Sequence, residues 1–188
     1  MKETLLVNLF SGPGALKSGT AGGVFTLLKL HGVDVDLPYE FPKDMVWELQ
    51  HEAFDDQNFL FGNQFHRLWR VRGKVDVIVC DSPILFSLVY RRDEFSEDFY
   101  NNVVKSHLTF NNFNIFLERD PNIPYEENGR NETFEQAKEV DLKMITMLNN
   151  TIGGDYITLR SSVDTINQIA KMVLFKLEKK LRFKIMEI

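Results

Sequence analysis

The sequence predicts an α/β fold: a mainly parallel five-stranded sheet with helices packed on it. Three observations predict it. Residues 4–10 (TLLVNLF) and 74–83 (KVDVIVCDSP) are apolar runs of strand length, as strands buried on both faces are. Segments of helical periodicity separate the strand-like runs, and that alternation makes βαβ units. The first run ends in a Gly/Pro turn, SGPG at 11–14, that leads into a helical segment. The chain has 188 residues, 44% of them hydrophobic and 16 of them Phe, enough for one full core. Residues 1–188 are therefore read as one domain.

The elements follow in order. After the first strand, Ala21, Val24, Leu27, Leu28 and Leu30 suit a helix over 18–31, stopped by Gly32. VDVDL at 33–37 alternates and is the second strand. Residues 42–49 form a short helix and 52–72 a longer one that tolerates Gly62. The third strand, 74–83, precedes helical segments at 84–91 and 95–109. FNIFLER (113–119) is the fourth strand. Residues 120–132, DPNIPYEENGRNE, have two prolines, a glycine and no periodicity, and form a surface flap. Thr133 caps a helix over 133–150, with Gln136 completing a capping box. DYITL (155–159) is the fifth strand, and a last helix starts near Ser162. In such sheets ligands bind beyond the carboxyl ends of the strands. Residues near 11, 38, 81 and 119 should therefore face one crevice.

Composition narrows the function. The formal net charge is -5, so no global basic field draws the chain to nucleic acid or a membrane. The single cysteine, Cys80, allows no internal disulfide, and the four histidines are scattered without zinc spacing. No stretch approaches the roughly 20 apolar residues of a membrane span, and the N-terminal run reads as a strand rather than a signal peptide. The expectation is a cytoplasmic protein with no membrane partner.

SGPGALKSGTAGG, 11–23, has the context of a phosphate cradle: a strand before it and a helix starting at Ser18. In the motif G-x-x-x-x-G-K-[ST], glycines let backbone N–H groups turn toward phosphate oxygens. The lysine reaches the β/γ-phosphates, the hydroxyl meets Mg²⁺, and the helix N-terminus adds its positive end. Gly12, Pro13, Gly14, Ala15, Lys17, Ser18 and Gly19 would form the ATP cradle. The strict pattern fails twice, at Ser11 and Leu16, and a glycine-rich turn without ligand is the rival reading. An apolar strand ending in Asp81 supplies the second feature, a carboxylate that with Ser18 would organise Mg²⁺.

Further candidates line the expected crevice. Glu40 follows the second strand, where a carboxylate could orient or deprotonate an acceptor hydroxyl, or simply be solvated. In QFHRLWR (64–70), Gln64 could read a base edge and Arg67 could bind an acceptor phosphate or base, with His66 read as a surface or structural histidine. Trp47, Phe65 and Trp69 are read as core, with stacking of one of them on a planar substrate as the alternative. Arg119 ends the fourth strand and Arg130 sits in the flap, where arginines could close over ATP, Arg119 having a strand-end ion pair as its alternative. Arg91 and Arg92 are read as solvated surface.

These blocks carry a resemblance. LVNLFSGPGALKSGTAGGVF, YEFPKDMVWE, QFHRLWRVRGKVDVIVCDSPILFSLVY and NGRNETFEQAKEVD resemble, over about residues 4–150, a phage-encoded P-loop NTPase/kinase family. That family is related to nicotinamide-riboside-kinase-like nucleoside and nucleotide kinases. Its loop typically reads Gly-Pro-Gly-small-Gly-Lys-Ser-Thr-Thr-Ala. Lys17, Ser18, Thr20 and Ala21 match, while Leu16 and Gly19 depart. The resemblance implies a three-layer α/β/α P-loop kinase-like fold, ATP and Mg²⁺ as cofactors, and Glu40 beside the acceptor. It also implies arginines at the places of Arg119 and Arg130, and a nucleoside or nucleotide as acceptor. Some phages phosphorylate hydroxymethylated pyrimidines in DNA with kinases of similar fold, so DNA is a further candidate acceptor.

The C-terminal stretch, 170–188, lies outside the resemblance. Ala170, Leu174, Leu177, Leu181, Ile185 and Ile188 form a helical stripe among basic residues. It suits packing on its own domain, a homo-oligomer interface or, third, weak nucleic-acid binding. LRFKI (181–185) also alternates like an edge strand. Two function classes follow: an ATP/Mg-dependent phosphotransferase, and a nucleotide-binding module with a degenerate loop and no turnover.

Overall fold

The computed structural model describes residues 2–90, 95–125 and 132–186. Its sheet has five strands: β1 (Leu5–Phe10), β2 (Val35–Asp36), β3 (Val77–Cys80), β4 (Asn111–Glu118) and β5 (Ile157–Arg160). They lie in the order β2-β3-β1-β4-β5, and every pairing is parallel. All carboxyl ends therefore reach one edge of the sheet. β1 is central because it is buried along its whole length, as an unbroken apolar run requires. The edge strand β2 is only two residues long, against five expected, and ladders briefly with β3 through Val35↔Val77 and Asp36↔Ile78.

The helices are α1 (Lys17–Leu30), α2 (Phe41–Trp47), α3 (Gln57–Trp69), α4 (Phe86–Val89), α5 (Glu97–Leu108), α6 (Phe134–Ile152) and α7 (Val163–Met186). Apart from the short α2, which packs on a separate small cluster, they form two layers around the sheet. On one face, Val7, Leu9, Val79 and Ile115 pack against Ala21, Val24 and Leu28 of α1 and Ile169 and Val173 of α7. On the other, Leu6, Phe10, Ile78 and Phe116 meet Leu68, Leu85, Val103 and Met144 from α3, the turn before α4, α5 and α6. A Cβ on Gly23 would come within 2.7 Å of Ile166, so the bare glycine permits the approach of α1 to α7.

Local signals explain the boundaries. Gly32, with φ 74, takes the turn that ends α1. Thr133 and Gln136 form the expected capping box. The helix expected over 52–72 is instead a 3₁₀ helix at His51–Asp55 followed by α3. Asp56 makes the break, since its carboxylate caps α3 by accepting from the Phe59 N–H at 3.0 Å. The C-terminal stretch is helical through Met186, so the edge-strand alternative for LRFKI does not hold. Its first part packs on its own domain: Ala170 and Val173 are buried, with Leu174 and Leu177 partly buried against the same core. Arg91, Arg92 and Arg130 lie outside the described residues. Among the described residues, no helix is long and apolar enough to cross a membrane.

Candidate active site

The crevice is built on the loop between β1 and α1. Gly14 (φ 80) and Leu16 (φ 58, ψ 23) both have left-handed backbones. Glycine adopts this conformation freely, whereas a Cβ costs about 1–2 kcal/mol there. Leu16 thus makes the turn that the motif assigns to glycine, and its side chain is 43% exposed. As the residue before α1 it gives no side-chain cap, and no acid sits in the first turn. The leading N–H groups of α1 are left for an anion. Ser18 and Gly19 are exposed, Pro13 and Gly14 half-buried, Gly12 and Ala15 buried. The Ala15 carbonyl accepts from the Ser161 hydroxyl at 2.8 Å, which ties the loop to the end of β5.

Lys17 folds back across this loop. Its Nζ donates to the carbonyls of Ser11 and Gly12, both at 2.8 Å, and lies 5.5 Å from the centre of the Phe86 ring. Burial pushes its ammonium down from its ordinary range, against the upward pull of Glu40, Asp81 and Asp141. Three carboxylates from three elements thus converge electrostatically on one ammonium. Asp81 follows β3 and is 7% exposed. It makes no hydrogen bond or ion pair with the described residues. A buried carboxylate without such a partner favours a cation beside it. Glu40 precedes α2; burial raises its carboxyl above the usual range, Lys17 lowers it and Asp81 raises it.

Arg119 stands just past β4, and its guanidinium is engaged. Nε pairs with Asp141 at 2.5 Å and Nη2 donates to the Ala137 carbonyl at 3.1 Å. The other Asp141 oxygen accepts from the Gly12 N–H at 2.6 Å and from the Ser11 hydroxyl at 3.4 Å. Asp141 was not among the sequence candidates. The available signal was its place in α6, beside the buried stripe of Ala137, Val140, Met144 and Leu148. A carboxylate on such a stripe needs a buried partner. A Cβ on Gly12 would lie 2.6 Å from the Ala137 carbonyl oxygen and 2.7 Å from Asp141 Oδ1. Gly12→Ala is expected to destabilise the fold by about 1–3 kcal/mol through overpacking. Urea unfolding checks this, and an unchanged midpoint would contradict it.

The acceptor-side candidates have partners. Buried Gln64 accepts from the Phe41 N–H at 3.2 Å and donates to Cys80 Sγ at 3.8 Å, bridging α2 and β3. Arg67 donates to the Tyr39 carbonyl and to Asp44, both at 2.9 Å, and stacks over Phe41. It lines an open cleft of about 580 Å³ with Tyr39, Asp44, Asn63, His66 and Arg70. Arg67 therefore straps the chain around Glu40. Trp47 and Trp69, expected in the core, are 66% and 50% exposed. Phe65 is partly buried, with rings of Phe61 and Trp69 stacked on it. Tyr90, another residue the sequence did not single out, follows α4. Burial, then the carboxylates of Glu132, Glu40 and Asp141, push its phenol up, which places it electrostatically at the same crevice.

No family model and no curated protein matches the chain. Solved structures do. Deoxyadenosine kinase from M. mycoides with bound dATP superposes with a TM-score of 0.53 at 13% identity, over 92% of this chain and 99% of that one. The same kinase with dCMP and a flexible dCDP gives 0.52 at 12% identity, over 93% and 99%. This chain has a P-loop kinase fold. At such identity the likeness is one of fold, and roles for individual residues must come from the site itself. A gluconokinase from Sinorhizobium meliloti 1021 also aligns, at 10% identity over 97% of each chain, but its TM-score of 0.41 carries no argument.

Proposed function

We propose that the protein is an ATP/Mg-dependent phosphotransferase whose acceptor is a nucleoside or nucleotide. The observation that carries the reading is the convergence of Glu40, Asp81 and Asp141 on Lys17, beside an uncapped helix N-terminus. Lys17 and the loop amides from Gly14 to Gly19 would hold the β/γ-phosphates, with Gly12 and Pro13 shaping the turn. Mg²⁺ needs few protein ligands because it keeps waters and phosphate oxygens. The exposed Ser18 and the buried Asp81, which has no hydrogen-bond or ion-pair partner among the described residues, fit that demand. When bound, the ion would neutralise phosphate charge. Glu40, with its raised pKa, would accept the proton of the acceptor hydroxyl. The acceptor oxygen then bonds to the γ-phosphorus as the bond to the β–γ bridging oxygen breaks. Gln64 and Arg67 would shape the acceptor wall. Arg119 would add positive charge beside the loop, and Arg130 would close from the flap.

One observation favours the second reading, a nucleotide-binding module without turnover: Leu16 bears a left-handed backbone where glycine would be unstrained. The assay is ADP release from ATP and Mg²⁺ with nucleosides, monophosphates and hydroxymethylated DNA in turn. The kinase reading expects ADP with at least one acceptor. Tight ATP binding without ADP from any acceptor supports the module. Leu16→Gly sharpens the contrast. The loop already has the required turn, so the kinase reading expects turnover to rise less than about thirtyfold, the worth of about 2 kcal/mol. A larger gain would mark the native loop as impaired.

A further inference from the structure

We propose that Asp141 is the positioning residue of the phosphate loop, its carboxylate fastening Gly12 and Arg119 to α6 so that the loop is held in shape for a polyphosphate. The inference rests on the reading above of the loop as a nucleotide site. One oxygen of Asp141 takes the Gly12 N–H at 2.6 Å and the Ser11 hydroxyl at 3.4 Å; the other takes Arg119 Nε. The backbone of Gly12 is then held on both sides of its Cα. Its N–H goes to Asp141, and its carbonyl goes to Lys17 Nζ at 2.8 Å.

The fastening is close and sheltered. Asp141 and Arg119 side chains are 16% and 14% exposed. Charge-assisted bonds in such surroundings are roughly twice as strong as neutral ones. The space around Gly12 is built for the contact, since the Ala137 carbonyl, Asp141 and Arg119 all lie within 2.9 Å of where a Cβ would stand. Arg119 and α6 also bracket the flap in the chain. Asp141 thus joins the two ends of that segment to the phosphate loop.

The test uses the full chain with Asp141→Asn, and Thr133→Ala as control. The control removes the cap of the same helix and destabilises it without touching the loop. In the free protein, hydrogen exchange of the peptide covering residues 10–18 should quicken on the order of tenfold for Asp141→Asn and stay unchanged for Thr133→Ala. The Kd for ATP–Mg²⁺ should rise on the order of tenfold for Asp141→Asn alone. Should Asp141→Asn fail to fold, Arg119→Lys serves in its place. It keeps the cation, loses the Nη2 bond to Ala137, and should weaken ATP severalfold. Loop exchange and ATP affinity like wild type, or equal losses in the control, would overturn the proposal. Quickened exchange in Asp141→Asn beside a wild type that binds no ATP would instead overturn the nucleotide-site reading and leave the fastening standing.

Discussion

Lys17→Met is expected to cut ATP turnover by roughly a hundred- to thousandfold, the cost of removing one preorganised charge donor from a transferring group. The variant keeps most of the aliphatic stem and removes the ammonium, which lies 5.5 Å from the centre of the Phe86 ring. Two losses follow. On the proposed phosphotransferase reading the transferring phosphoryl group would lack its fixed cation, and the carbonyls of Ser11 and Gly12 lose the donor that held them. The first loss concerns the transition state, so it should appear mainly in kcat. The second loosens the cradle and should raise KM for ATP. The three carboxylates that act on Lys17 would also face one another without the ammonium between them. A modest fall in melting temperature should accompany the kinetic loss. ADP release at the wild-type rate would show that this lysine does not meet the phosphates.

Much of this site was legible because its parts are local. The run 4–10 has to be a doubly buried strand, and the glycines after it have to make a turn, so the positions of Lys17 and Ser18 follow from a few neighbours in the chain. The capping box at Thr133 and Gln136 is local too, and it is present as read. Leu16 was seen as a departure, but sequence could not say whether the backbone would give way or the turn would persist. The turn persists, with φ 58. The burial of Ala15 and the bond from Ser161 hold the loop while Leu16 bears the strain.

What sequence missed depends on contacts distant along the chain. Asp141 meets Gly12 across 129 positions, and no motif spans that distance. Gln64 and Arg67 were read as acceptor-binding residues; in the structure their hydrogen-bonding groups are engaged by Phe41, Cys80, Tyr39 and Asp44. Trp47 and Trp69 fail as core residues for a related reason. Hydrophobicity says that a side chain gains by burial, not that a layer exists to cover it. α2 lies outside the two main helix layers, on a small cluster of Phe41, Met45 and Leu60, and Trp47 at its end has little to pack on.

The second large effect concerns stability and pH. His107 of α5 is 1% exposed, and its Nδ1 has no hydrogen-bond partner among the described residues. Burial holds its imidazole down at about 4, against 6.5 for the free side chain. Above pH 6.5 both folded and unfolded chains carry it neutral, so it gives no pH dependence. Between 6.5 and 4 the unfolded chain takes up the proton and the folded chain does not, so stability falls as the pH falls. Over that window the loss is about 3 kcal/mol, a large share of a typical domain's total. Below pH 4 both states bind the proton and this contribution stops changing. Urea unfolding of wild type and His107→Leu at pH 7 and pH 4.5 separates this group from the carboxylates, which titrate in both proteins. The leucine variant should lose about 2–3 kcal/mol less than wild type between those two values. Equal losses would mean that His107 charges freely in the folded protein, and that the core between α5 and the sheet admits water.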